Sequence, residues 1–212
     1  MKIAVFGAGG AIGQAITGEL LARGHTVIAV TRTSAPIPGL VVQVATGDAA
    51  DPASVARLAA GQDAVVSATG PRRGTENEED SLVGAAMGLI DGVRKAGVRR
   101  LVVVGGAGSL EVAPGARLAD TPEFPPAAKA LALAHASALD IYREAEDLDW
   151  TYVSPAAVTG PGDRTGAFRI GGDQLLADAA GNSRISIPDF AIAVGDVLER
   201  GEAIRRRITV AY

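Results

Sequence analysis

Short apolar runs alternate along the chain with longer stretches whose apolar positions recur every three or four residues, the pattern of repeated strand–helix units that build a parallel sheet. Ile3 to Phe6 reads as a first strand, followed by a helix from about Ile12 to Arg23 that Gly24 ends, and then by a second strand, Thr26 to Val30. Leu40 to Val44 is expected as the third strand. Asp51-Pro52 then supplies a cap and a first-turn proline for a helix to about Ala60. Ala64 to Ser67 and Leu101 to Val104 are apolar enough to be interior parallel strands, with a helix from about Asp80 to Ala96 between them. The Gly-, Ala- and Pro-rich stretch from Gly105 to Pro126 is expected to be a loop. It leads into a helix over about Ala127 to Glu146 and a strand over Trp150 to Val153. Beyond that the glycines at 160, 162, 166, 171 and 172 mark turns. Ile185 to Ile187 reads as a short strand, Asp189 as the cap of a helix to about Glu199, and Ile208 to Ala211 as a closing strand. The expected fold class is α/β, a doubly wound parallel sheet. Residues 1–212 form one domain in this reading, with 156–212 as a small appendage on the substrate side.

Composition narrows the function classes. With 212 residues and 48% hydrophobic side chains the chain can bury a sizeable core. A net charge of −4 gives no general attraction to phosphate polymers or anionic lipid, so neither nucleic acid nor membrane is an expected partner. The absence of cysteine excludes disulfides, thiolate metal sites and a cysteine nucleophile. His25 and His135 have no second histidine at ligand spacing, and no metal is expected. The apolar run in MKIAVFGAGG is too short and too Gly-rich for a signal peptide or a membrane span, and a cytoplasmic protein is expected. Periodicity leaves monomer and homodimer both open.

The segment Gly7-Ala-Gly-Gly-Ala-Ile-Gly13 carries the chemistry, because its glycines recur every three residues directly after a strand and at the start of a helix. Glycine there lets the backbone turn tightly and approach a pyrophosphate, with free N–H groups aimed at the anion. In NAD-preferring folds an acid about 20 residues further on accepts hydrogen bonds from the adenosine ribose. Here Val30-Thr31-Arg32-Thr33 offers a guanidinium and two hydroxyls instead, which suit a 2′-phosphate, so NADP(H) is expected in preference to NAD(H). Asp48 follows the third strand, where its carboxylate can accept from an adenine amino group. Ala68-Thr69-Gly70 and Gly105 follow later strands and leave room at the carboxyl end of the sheet.

These residues resemble the atypical or extended short-chain dehydrogenase/reductases, in particular the small NmrA-like branch provisionally labelled NADH-flavin reductases. The likeness rests on FGAGGAIG, VTR, GD after the third strand, VVVGGAGSL, DWTYVSPAAVTGPGDRTGAFRIGGDQLL and ISIPDFA, and spans nearly the whole chain. It implies a cofactor bed formed by Gly7, Gly10, Ala11, Ile12, Arg32, Asp48, Ala68, Thr69, Gly70, Gly105 and Pro155, with the appendage forming the substrate pocket.

The chain departs from the wider superfamily at the Tyr-x-x-x-Lys pair that exchanges a proton with substrate. Lys129 stands near the lysine position, but four residues before it is Pro125, and Tyr142 is followed at the same spacing by Glu146. Ser109 lies near the superfamily serine that contacts a substrate oxygen. Ser109 and Lys129 are therefore the candidates at the reacting end, each with an ordinary turn or surface role as the alternative. Asp163-Arg164 reads as a turn ion pair and Arg205-Arg206-Arg207 as a solvated start to the last strand. A site poor in acids and bases suits NADPH-dependent reduction of a flavin, a quinone or a similar small acceptor. The alternatives are a non-enzymatic NADP(H) sensor that regulates a protein partner, and an epimerase- or dehydratase-like enzyme.

Overall fold

A computed structural model of the chain describes residues 1–33, 35–71 and 78–212. Its frame is an eight-stranded sheet. In chain order the strands and helices that build it are β1 (Lys2–Phe6), α1 (Ala11–Ala22), β2 (Thr26–Thr31), β3 (Gln43–Thr46), α2 (Pro52–Ala59), β4 (Ala64–Ser67), α3 (Glu78–Ala96) and β5 (Arg100–Val104). There follow a small hairpin of β6 (Glu111–Ala113) and β7 (Ala116–Arg117), then α4 (Pro126–Arg143), β8 (Asp149–Pro155), β9 (Val158–Gly160), β10 (Arg169–Gly171), β11 (Arg184–Ser186), α5 (Ile187–Arg200) and β12 (Arg206–Ala211). The sheet order is β10-β12-β8-β5-β4-β1-β2-β3, parallel throughout except for β10, which runs antiparallel along β12. A separate short pair joins β9 to β11.

Alternation along each strand divides the interior into two layers. Ile3 and Val5 face α1 and α5, where Ile16, Leu20, Phe190 and Val194 pack on them. Ala4 and Phe6 face the opposite side with Leu58, Leu89, Tyr142 and Tyr152. Burial on both faces is why β4 and β5 read as unbroken apolar runs. The connections β1-α1-β2-β3 run one way across the sheet and β4, β5 and β8 run the other, so the order reverses between β1 and β4. Crevices at the carboxyl ends of the strands beside such a reversal are where open α/β sheets bind ligands.

Most predicted elements stand within one to three residues of their expected ends, and the departures have physical causes. The third strand is Gln43–Thr46 and not Leu40–Val44, because pairing with Ile28–Thr31 fixes its register. The apolar run that suggested the earlier start includes Val41, which is 99% exposed. The loop over 105–126 contains the β6–β7 hairpin and one 3-10 turn, Leu118–Asp120. Ile187 begins α5 and is not part of a strand. The last strand, part of the segment read as an appendage, lies within the main sheet beside β8.

Candidate functional site

The turn after β1 is fixed by two close approaches. Gly7 has φ +78°, and a Cβ there would lie 2.4 Å from the Ala68 carbonyl oxygen. A Cβ at Gly13 would lie 2.1 Å from the Gly7 carbonyl oxygen, so the first and third glycines bring β1, β4 and α1 into backbone contact. Gly10 serves differently. It stands at the helix cap with no side-chain hydrogen bond, and its N–H donates to Gly7 O at 3.1 Å. The next N–H groups, at Ala11 and Ile12, belong to a first helical turn that has no intrahelical acceptor for them.

This turn opens into a cleft of about 960 Å³. Thr31, Arg32 and Thr33 line one end of it. Arg32 is exposed and has no ion-pair partner among the described residues. Asp48 lines the cleft as well, with Oδ1 accepting from the Ala50 N–H at 3.0 Å. The opposite wall is Ala68, Thr69 and Gly70, where the Thr69 hydroxyl lies 2.9 Å from that of Ser67. Backbone donors at a helix start, glycines where a side chain would fill the turn, and an exposed guanidinium at the rim together fit a dinucleotide. Four residues expected in this bed do not line it: Ala11 and Ile12, in the first turn of α1, and Gly105 and Pro155. Gly105 is buried beneath Tyr152, with no room for a Cβ, which would meet that ring at 1.9 Å. Pro155 is a buried strand residue opposite Val210.

A second cavity, about 430 Å³, opens at the end of the neighbouring strand β5. Its walls are mostly apolar, among them Leu118, Phe124, Leu131 and Val158, and its floor is the small-residue run Gly106-Ala107-Gly108. His135, on α4, is its notable polar group. The imidazole occupies the space that a side chain at Gly106 would take, since a Cβ there would lie 2.8 Å from His135 Cδ2. Tyr152 holds the ring from below, its hydroxyl donating to the His135 carbonyl oxygen at 2.9 Å and lying 3.2 Å from Nδ1. Burial pushes the His135 pKa down to about 4 and raises that of Tyr152 above the usual phenol range. Sequence reading set His135 aside because no second histidine accompanies it. The signals that mark it are a glycine 29 positions earlier and a buried tyrosine on β8, and only the fold brings the three together.

The two candidates for the reacting end lie elsewhere. Ser109 is buried, and both its hydroxyl and its carbonyl oxygen accept from Arg207 Nη1, at 2.9 and 3.0 Å. Lys129 is exposed on α4 and outside the lining of the pocket. Arg207 is not a solvated strand residue. Its guanidinium is buried, pairs with Asp173 at 2.6 Å and pins the 109 turn to β12. Arg164 pairs with Glu19 across the fold at 3.0 Å rather than with its neighbour Asp163. The cap of α5 is Ser186, whose hydroxyl accepts from the Asp189 N–H at 3.1 Å. Asp189 is one turn in and fully buried. Its Oδ1 accepts from the N–H groups of Thr165 and Gly166, and its Oδ2 from the hydroxyls of Thr165 and Tyr212, all at 2.6–2.8 Å. Desolvation opposes its charge, but these four donors outweigh it and leave the carboxyl below its usual pKa.

The sequence of the cleft and its surroundings matches that of known NAD(P)H-binding domains over residues 7–197. The chain belongs to the NAD(P)H-binding family. It is 51% identical to a Burkholderia pseudomallei protein provisionally named as exported, with all of each chain covered and a TM-score of 0.91. It is 38% identical to a Bacteroides thetaiotaomicron protein provisionally named an epimerase, over all of this chain and 96% of the other, with a TM-score of 0.90. A Streptococcus pneumoniae protein provisionally named an NADH-flavin reductase is 35% identical, over all of this chain and 99% of the other, with a TM-score of 0.85. The fold is that of the NAD(P)-binding oxidoreductases of the atypical short-chain, NmrA-like branch. Among the described residues no helix is long and apolar enough to cross a membrane.

Proposed function

We propose that the protein is an NADPH-preferring reductase of a small planar acceptor of the flavin or quinone type. The observation that carries the reading is the pairing of two sites at the ends of adjacent strands. One is a dinucleotide cleft with the exposed guanidinium of Arg32 at its rim, and the other is an apolar pocket with no Tyr-x-x-x-Lys pair. A reduced nicotinamide supplies a hydride when bound. Gly7, Gly10 and the start of α1 receive the pyrophosphate, Arg32 with Thr31 and Thr33 receives the 2′-phosphate, and Asp48 receives the adenine. The pocket excludes water and holds a flat acceptor, which takes the hydride from the nicotinamide and one proton from solvent; such a transfer needs positioning more than acid–base chemistry.

The test is titration of the protein with NADPH and NADH, then oxidation of NADPH on adding FMN or a quinone. A charge-assisted contact to phosphate contributes about 1.5–3 kcal/mol, so Arg32→Ala should weaken NADPH roughly ten- to hundredfold and leave NADH nearly unchanged. Equal losses for both nucleotides would remove Arg32 from the reading. Tight NADPH binding without oxidation by any acceptor would favour the sensor, which the missing Tyr/Lys pair also supports. The epimerase reading inherits the name of the Bacteroides relative, but it requires a proton-transfer group that neither Pro125 nor the exposed Lys129 supplies.

A further inference from the structure

We propose that His135 is the acceptor-recognition residue of the apolar pocket, held in one tautomer so that a bare Nε2 selects flat, uncharged rings carrying an O–H or N–H donor at their edge. This inference rests on the reductase reading for what occupies the pocket, though not for its test.

The tautomer follows from counting protons. Tyr152 has one hydroxyl proton, and it is committed to the His135 carbonyl oxygen at 2.9 Å, which can only accept. The 3.2 Å contact between the same hydroxyl and Nδ1 is therefore an Nδ1–H donating to the tyrosine oxygen. A neutral imidazole with its proton on Nδ1 has a lone pair and no proton on Nε2. Among the described residues Nε2 has no partner, and it is not among the sealed, unpaired polar atoms of the interior. The ring cannot retreat from the pocket wall, since Gly106 and Tyr152 pack against it. Desolvation keeps the imidazole neutral near pH 7, so the nitrogen remains an acceptor.

The rest of the wall agrees. The Thr121 hydroxyl is already donated to Leu118 O at 2.8 Å, and the other ionisable side chain on the wall, Glu123, is again an acceptor. A pocket whose uncommitted side-chain groups all accept hydrogen bonds favours a ligand that donates. Among planar acceptors this distinguishes an isoalloxazine-type ring, which bears a ring N–H, from an unsubstituted oxidised quinone, which bears none. A cavity of about 430 Å³ is within the range that holds a small ring system.

The experiment compares 2-naphthol with its methyl ether, 2-methoxynaphthalene. The two share a ring system and differ in the donor, and binding to the full chain is followed by probe fluorescence. A desolvated neutral hydrogen bond is worth about 1 kcal/mol, so wild type should hold naphthol roughly fivefold to tenfold more tightly, and the ratio should fall to near one in His135→Phe. Long-range nitrogen NMR on wild type should show His135 protonated at Nδ1 and bare at Nε2, with Nε2 shifting on addition of naphthol and not of the ether. This second measurement holds even if the variant fails to fold. Equal affinities in wild type, a proton on Nε2, binding of neither probe, or a ratio kept in the variant would each overturn the proposal. Discrimination between the probes without NADPH oxidation by either flavin or quinone would sink the reductase reading and leave His135's role standing. The converse result would do the reverse.

Discussion

His135 makes folding stability depend on pH in a calculable way. In the folded protein burial holds its pKa at about 4, whereas in the unfolded chain it returns to about 6.5. The unfolded state therefore binds a proton first as pH falls. Stability from this residue is complete above the unfolded value and is lost between pH 6.5 and pH 4. Each unit is worth about 1.4 kcal/mol, so the full contribution is about 3 kcal/mol. The perturbation is His135→Phe, which fills the space beside Gly106 without titrating, with His135→Leu as a second variant. Other titrating groups, including Glu123 on the same pocket wall, are common to all three proteins and cancel in the difference. The assay is urea unfolding at several values between pH 8 and pH 4.5. With a slope of about 2 kcal/mol/M, the wild-type midpoint should fall by roughly 1 M or more relative to the variants over that range. Parallel midpoints would mean that the imidazole is hydrated in the folded state, and the assignment of Nε2 as a permanent acceptor would fall with it.

Two further outcomes follow from the packing. Gly13→Ala drives a Cβ onto the Gly7 carbonyl oxygen, where only backbone can give way. A loss of about 2 kcal/mol is expected, with a Tm lower by roughly 4–8 °C and weakened dinucleotide binding. The control Gly18→Ala on the same helix meets only Leu40 Cδ2 at 3.4 Å and should be neutral or stabilising, so similar melting of the two variants would refute the close-approach account. Asp189→Ala strands the two N–H groups and two hydroxyls that converge on the carboxylate. A cost of about 3 kcal/mol is expected in thermal melting, and a Tm within 1 °C of wild type would show that water replaces the carboxylate there.

What the sequence discloses depends on how local the cause is. The turn at Gly7–Gly13, Gly24 after α1 and the Asp51-Pro52 cap are set by residues a few positions apart, and each stands where pattern and turn chemistry place it. The start of β3 depends on pairing with β2, which no local pattern encodes, and the apolar Leu40–Val42 stretch points to the wrong residues. Arg207 and Asp189 look like ordinary surface and capping residues because their partners, Ser109 and Asp173 for one and Thr165 and Tyr212 for the other, are 23 to 98 positions away. Separation also hides His135, whose character comes from Gly106 and Tyr152, 29 and 17 positions away. The glycine turn and the cleft beside it are therefore legible in the sequence, and the apolar pocket around His135 is not.

The two clefts draw on separate stretches of chain. Among the described residues, those lining the dinucleotide cleft run from Phe6 to Ala85 and those lining the apolar pocket from Gly106 to Val158. On the proposed reading, nucleotide preference and acceptor preference are separable along the chain. The reductase proposal then predicts that grafting 106–158 between family members changes the acceptor and keeps the nucleotide.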